Sequence, residues 1–422
     1  MHFENTLSFA RSMDKNDPLK KYRNRFHIPK YKGKNTIYFT GNSLGLQPKS
    51  TKKYIQQELD DWAKLGVEGH FHAKNPWMPY HEKFAKLIAG IVGAKPHEVV
   101  VMNQLTINLH LLMVSFYKPT KKRYKIICEA KAFPSDQYAL QSQVRFHGLD
   151  PQKAIIEIAP RKGEHAIRHE DILKAIEKHK DSLNMVLMGG VNYYSGQVLN
   201  MKEITKAAHD AGACAGFDLA HAVGNISLEL HKWNTDFACW CSYKYLNSGP
   251  GGVGGIYIHE RFSKDSSLQR FAGWWGSKKE TRFSMPEVFE AIPTAEGWQM
   301  SNAPILSMAA HKAALDIFHE AGFKNLIAKS KIMTGYLFFL LKEIQKKQPG
   351  LIEIITPFNE KEHGCQVSLL MLKNGRSVFN RLQNKGVISD WREPNVIRIA
   401  PVPLYNTYED IYKFYQILMQ EK

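Results

Sequence analysis

The chain has 422 residues, 44% hydrophobic and 23% charged, with 29 glycines and 19 prolines spread along it; that composition excludes a low-complexity or disordered protein, and such a length usually divides into more than one unit. Its formal charge of +17 would suit a polyanion, but the basic residues come in short groups such as KKYRNRFHIPKYKGK and KPTKKRYK, without a helical stripe, zinc-finger spacing or RNA-binding signature, so a basic solvated surface is expected and no nucleic-acid partner. The five cysteines are scattered in apolar runs, as reduced buried thiols are; the first twenty residues carry charges throughout, and no window reaches the roughly 18 apolar residues of a spanning helix, so a cytoplasmic protein without a membrane partner is expected.

In chain order, residues 1–55 have little periodicity and one prominent turn, YFTGNSLGLQP, and are expected to form an arm packing with the smaller of two units. Residues 56–303 are expected to form a large domain. There the runs EVVVMN, YKIICEA, AIIEIA, NMVLMGGV, GACAGFDL, FACWCS and GGIYIH read as strands. Amphipathic stretches lie between several of them: HEDILKAIEKHKDS has acids in its first turn, and NMKEITKAAHDAG ends on a glycine suited to a C-cap. The alternation predicts a mostly parallel sheet between helices. From 304 the pattern changes to two long helices, PILSMAAHKAALDIFHEAGF and NLIAKSKIMTGYLFFLLKEIQKK, followed by strand and helix alternation, read as a smaller C-terminal α/β domain over 304–422.

Within FACWCSYKYLNSGPGG, Lys244 follows an apolar run, at the end of a buried strand where surface lysines are uncommon. A lysine that attacks carbonyls must lose its proton, which needs such a setting. Asp218 closes another predicted strand in GFDLAHAVGN, with His221 three residues on. A buried carboxylate needs a cationic or hydrogen-bonding partner, which a protonated pyridine nitrogen would supply; capping a following helix is the equally simple alternative. Leu105 and Thr106 of NQLTINLH fall at a helix N-terminus, where free N–H groups attract anions, and Tyr243 could add a hydroxyl. Lysine, acid and anion pocket are the three needs of pyridoxal phosphate. The glycines of GPGGVG (Gly249, Gly251, Gly254) imitate a dinucleotide loop but lead into a strand pattern, so they are read as a turn that gives backbone room. His70 and His72 have no third ligand at metal spacing, and no metal is expected.

The blocks GNSLGLQP, NQLTINLHLL, EAKAFPSDQYA, GFDLAHAVGN, FACWCSYKYLNSGPGG, GWWG, SNAPI and IRIAPVPLYN together resemble the kynureninase family, pyridoxal-phosphate hydrolases of fold type I akin to class V aminotransferases. The resemblance implies a fold type I α/β enzyme: a large domain with a mostly parallel seven-stranded sheet between helices, plus the smaller C-terminal domain. It makes Lys244 the Schiff-base lysine and Asp218 the partner of the ring nitrogen, with His221 and Tyr243 as cofactor contacts. Phe133, Pro134, Ser135 and Asp136 of FPSD would lie against the ring and its substituents, and Leu105 with Thr106 would hold the phosphate. Trp274 and Asn302 would reach the cofactor of the neighbouring subunit of a homodimer, although two core aromatics remain the plain alternative for Trp274 and Trp275. Arg398 would pair with the substrate's α-carboxylate, Ser43 and His70 would lie near its aromatic end, and Asn302 would also bind the substrate. Lys244, Tyr243 and Asp218 would carry the catalysis, with Tyr243 either relaying protons or only binding phosphate. Gly189 departs from a serine frequent in the family. The implied reaction cleaves L-kynurenine or its 3-hydroxy form to an anthranilate and L-alanine, in tryptophan breakdown and NAD synthesis. A cysteine desulfurase, the nearest alternative, needs a nucleophilic cysteine on a mobile loop, whereas the cysteines here lie in apolar strands or, for Cys365, in HGCQVSLLML.

Overall fold

The computed structural model describes residues 2–265 and 267–420. The arm opens with a helix, α1 (Leu7–Asn16), whose first turn is capped by the Thr6 hydroxyl. Charges interrupt its apolar positions, so the sequence alone left it unassigned. Ala10 is buried in a C-terminal core, with Phe9 and Met13 packed against that core. Further along the arm, Leu19, Tyr22, Phe26 and Leu46 join the larger core instead. Thus the arm packs on both units, where one was expected.

All seven apolar runs become strands: β1 (Val99–Val101), β2 (Lys125–Glu129), β3 (Ile155–Ile158), β4 (Leu183–Gly189), β5 (Cys214–Asp218), β6 (Phe237–Trp240) and β7 (Gly255–Ile258). They form one sheet in the order β1-β7-β6-β5-β4-β2-β3. Strands β2 to β6 are parallel, and β7 runs antiparallel to both its neighbours. The runs are continuously apolar because both faces are covered. Ile127, Val186 and Phe217 enter one core, while Ile126, Cys128, Met185 and Leu187 enter another on the opposite face. Ahead of the sheet lies α2 (Thr51–Leu65), and the helices between strands include α3 (Leu105–Phe116), α4 (Pro134–Phe146), α5 (His169–His179) and α6 (Met201–Asp210). The Asn200 side chain caps α6, and Gly212 follows it at φ +70°. The reversal into β7 is made by the glycine run, with Gly249 and Gly251 at positive φ, which is the turn and not the helix start that a dinucleotide loop requires.

Beyond residue 304 lie α7 (Ile305–Ala321) and α8 (Phe323–Lys347), separated at Gly322. A second sheet, antiparallel throughout, has the order β8-β9-β11-β10, from β8 (Ile352–Ile354), β9 (Val367–Met371), β10 (Asp390–Arg392) and β11 (Val396–Ile399); α9 (Tyr408–Met419) covers it with α8. Met308, Leu315 and Phe318 of α7 are buried in the large core, and only from Met333 onward does α8 supply the smaller one. The change of core therefore lies inside α8, later than the residue-304 division expected from pattern.

Candidate active site

The carboxyl ends of parallel strands leave a crevice where side chains of neighbouring strands converge. Here β2 ends at Glu129, β4 at Gly189 and β5 at Asp218, and the ladder sets Asp218 opposite both Gly189 and Cys239. Four residues beyond the end of β6 comes Lys244. Its Nζ lies 2.9 Å from His221 Nε2 and 5.9 Å from the centre of the Phe133 ring. His221 is held well below its ordinary pKa by burial and by the charges of Lys244, Arg398 and Arg392. A neutral imidazole accepts from Lys244 through Nε2 and carries its proton on Nδ1, which is buried with no partner.

Asp218 Oδ1 accepts the Ala220 N–H at 2.7 Å, closing a turn and not a helix. Its carboxyl also hydrogen-bonds Asp136, which lies in the first turn of α4. Burial first, then the charge and hydrogen bond of Asp218 and the charge of Glu129, push Asp136 well above the usual carboxylate range, with Lys244 opposing. Two hydrogen-bonded carboxyls share a proton. On the same cavity, Leu105 and Thr106 open α3, whose cap residue Gln104 gives no side-chain bond to the first-turn amides and turns to the Gly251 carbonyl instead. Tyr243 stands beside the Cys241 thiol, and burial with that neighbour raises its phenol, which stays protonated.

The cavity is thus lined by carboxyls, by an open helix N-terminus, by an amine and by the Phe133 ring. These are the complements of a protonated ring nitrogen, a phosphate, an aldehyde and an aromatic face, so the residues fit pyridoxal phosphate. The unpartnered His221 Nδ1 is one more polar atom that a bound group can satisfy.

Of the residues singled out in the sequence, Leu105, Thr106, Phe133, Ser135, Asp136, Asp218, His221, Tyr243 and Lys244 line this cavity together. Pro134 starts α4 and is exposed. Ser43 is exposed in its turn, but Gly45 of the same motif donates its N–H to the Tyr243 carbonyl at 2.8 Å. His70 lies edge-on to Trp77 with ring centres 5.4 Å apart and does not line the cavity. Trp274 is 44% exposed against Trp275 and Phe283, and Asn302 is exposed in a separate cleft with Gln104 and Ile107. Arg398 is buried, ion-paired with Asp390, and donates from Nη1 to the Tyr193 carbonyl at 2.5 Å. Tyr193 itself lines the cavity and meets Phe133 edge-on at 5.4 Å, placing Arg398 one residue behind the wall. Sequence reasoning missed Glu129 and Tyr193; the available signals were the acid closing a predicted strand before AFPSD and the aromatic pair after MGGVN.

Comparison with known proteins adds independent findings. The family model for the kynureninase C-terminal domain matches residues 326–418. Kynureninase of Flavobacterium psychrophilum is 60% identical over 418 residues, covering 99% of this chain and 98% of the relative, and that of Flavobacterium johnsoniae is 58% identical with the same coverage. Among solved structures, a lysine variant of C-DES with glycine covalently linked to its PLP cofactor superposes with a TM-score of 0.75 at 14% identity, covering 91% of this chain and 96% of that one, a likeness of fold.

Proposed function

This chain belongs to the kynureninase family, and from that premise we propose how its own residues carry out the cleavage of kynurenine. It is a pyridoxal-phosphate enzyme that hydrolyses the Cβ–Cγ bond of L-kynurenine or 3-hydroxy-L-kynurenine, giving an anthranilate and L-alanine. The observation that carries the assignment of residues is the convergence of Lys244, Asp218 and the α3 N-terminus on one cavity.

When bound, the cofactor would supply an electron sink for the α and β carbons of the substrate. Asp218 would hold the ring nitrogen, Phe133 would cover a ring face, and the first-turn amides of α3 with Thr106 and Tyr243 would hold the phosphate. Lys244 Nζ, bonded to the neutral His221, removes and returns the substrate's α proton. Tyr243, still protonated because burial disfavours its phenolate, supplies the proton that lets alanine leave. Arg398, with a buried Nε that has no partner, is the cation for the α-carboxylate.

Trp274 and Asn302 do not share the cavity with Lys244 in one chain, and Trp274 with its neighbour Phe283 is an exposed aromatic pair, in a stretch where Phe271, Met285 and Val288 are exposed too. A second copy of the chain would cover that stretch and bring both residues to its site, so we read the enzyme as a homodimer. Among the described residues no helix is long and apolar enough to cross a membrane; a cytoplasmic location goes with this reading.

Purified protein with pyridoxal phosphate should release anthranilate from kynurenine and show a visible absorbance band that borohydride bleaches. In Lys244→Ala the band should change and turnover should fall by at least about a thousandfold. A Lys244→Ala protein with wild-type turnover would remove the lysine from the mechanism.

A further inference from the structure

The cavity wall holds an acid that neither the sequence reading nor this mechanism uses. Glu129 closes β2, is 4% exposed, and lines the cavity with Asp136, Asp218 and Lys244. Its Oε2 accepts from Asn192 Nδ2 at 3.3 Å. A Cβ on Gly189 would stand only 2.9 Å from Glu129 Oε1, so the carboxyl occupies the space that a side chain at 189 would enter.

We propose that Glu129, steadied by Asn192, is a further cofactor-binding residue that acts as an uncharged carboxyl, leaving Asp218 as the carboxylate that meets the ring nitrogen. The proposal rests on the cofactor reading above. Every element around Glu129 bears on its charge. Asp218 comes from β5, Asp136 from α4, Lys244 and Tyr243 from the loop after β6, His221 from the turn after β5, and Asn192 from the loop after β4. Three carboxyls therefore face one ammonium, since His221 is neutral. Asp136 and Asp218 are bonded to each other, whereas Glu129 has only a neutral amide. A buried carboxylate without a cation takes up a proton. Burial accordingly pushes Glu129 up to about 7, with the Asn192 bond opposing and the Asp218 charge adding to the rise. Below that value Glu129 is protonated and the positive ring would meet a single carboxylate, while the Asn192 bond fixes the acid against the loop whose next residue, Tyr193, holds Arg398.

The test compares wild-type protein with Glu129→Gln, Glu129→Leu and Asn192→Ala. Apoprotein is titrated with pyridoxal phosphate for the dissociation constant, and the visible band of the bound cofactor is titrated with pH; circular dichroism checks that each variant is folded. Glutamine reproduces an uncharged carboxyl, so its dissociation constant should stay within about threefold and its spectral midpoint within a few tenths of a pH unit. Leucine cannot bond Asn192; it should weaken binding about tenfold and move the midpoint, and Asn192→Ala should shift both the same way to a smaller extent. Glutamine behaving like leucine would show that the charge is what matters and overturn the proposal. So would leucine or Asn192→Ala behaving like wild type. Borohydride reduction of the wild-type protein, with the cofactor recovered on the Lys244 peptide, tests the parent reading by itself.

Discussion

Tyr243 and Tyr245 flank Lys244 and look alike in sequence, yet they stand in different surroundings. Tyr243 reaches the cavity, whereas Tyr245 is fully buried with its hydroxyl beside the Cys365 thiol. Tyr243→Phe should therefore lower kcat about a hundredfold while weakening cofactor binding only a few-fold, in steady-state assays and cofactor titration. Tyr245→Phe should leave kcat near wild type and change stability by less than about 1 kcal/mol. The pair's difference could not be read from the sequence, because alternation along a strand does not continue through the loop after β6. By contrast, Lys244 and Asp218 were legible: each is a polar residue next to an apolar strand, where burial makes it conspicuous. Arg398 was legible as a buried cation, but its pairing with Asp390 depends on strands meeting out of sequence order. A second residue-scale consequence concerns Glu296. Burial works to raise its carboxyl, yet bonds from His81 at 2.8 Å and Lys279 at 2.7 Å outweigh that and hold it at about 2. A depressed carboxyl stabilises the fold above its unfolded pKa, about 4.5, and that contribution is lost as pH falls from about 4.5 toward 2. Glu296→Gln should cost about 2 kcal/mol at pH 7 in denaturant melts, and the gap should close by about pH 2.

At the scale of elements, the large sheet was readable because parallel strands buried on both faces leave unbroken apolar runs. Its helices were readable from caps and C-terminal glycines. Less legible was α1, whose apolar residues are few and whose burial depends on a core formed some 320 residues later. The same arm contains a buried clasp: Lys329 of α8 pairs with Asp17 at 2.7 Å and donates to the Pro403 carbonyl at 2.6 Å. Both side chains of the ion pair are nearly inaccessible. Removing one partner of such a pair strands the other, so Lys329→Met should lower stability by about 3 kcal/mol in urea unfolding. Asp17→Asn, which retains a polar partner, should cost less.

For the whole molecule, the separation of Trp274 and Asn302 from Lys244 makes a test in mixed assemblies. If each site draws Lys244 from one subunit and Trp274 from the other, a refolded equal mixture of inactive Lys244→Ala and Trp274→Ala proteins should recover about a quarter of wild-type activity. Recovery of none would place both residues in one subunit's site. The arm offers a consequence of another kind. Asp14 accepts from the amides of Tyr408 and Glu409 at 2.8 and 2.9 Å, and Thr40 bridges Ala400. The arm thus finds partners 394 and 395 positions further along the chain. Contacts that distant in the chain close late in folding, so Phe9, Ala10 and Phe39 stay uncovered until the C-terminal core has formed.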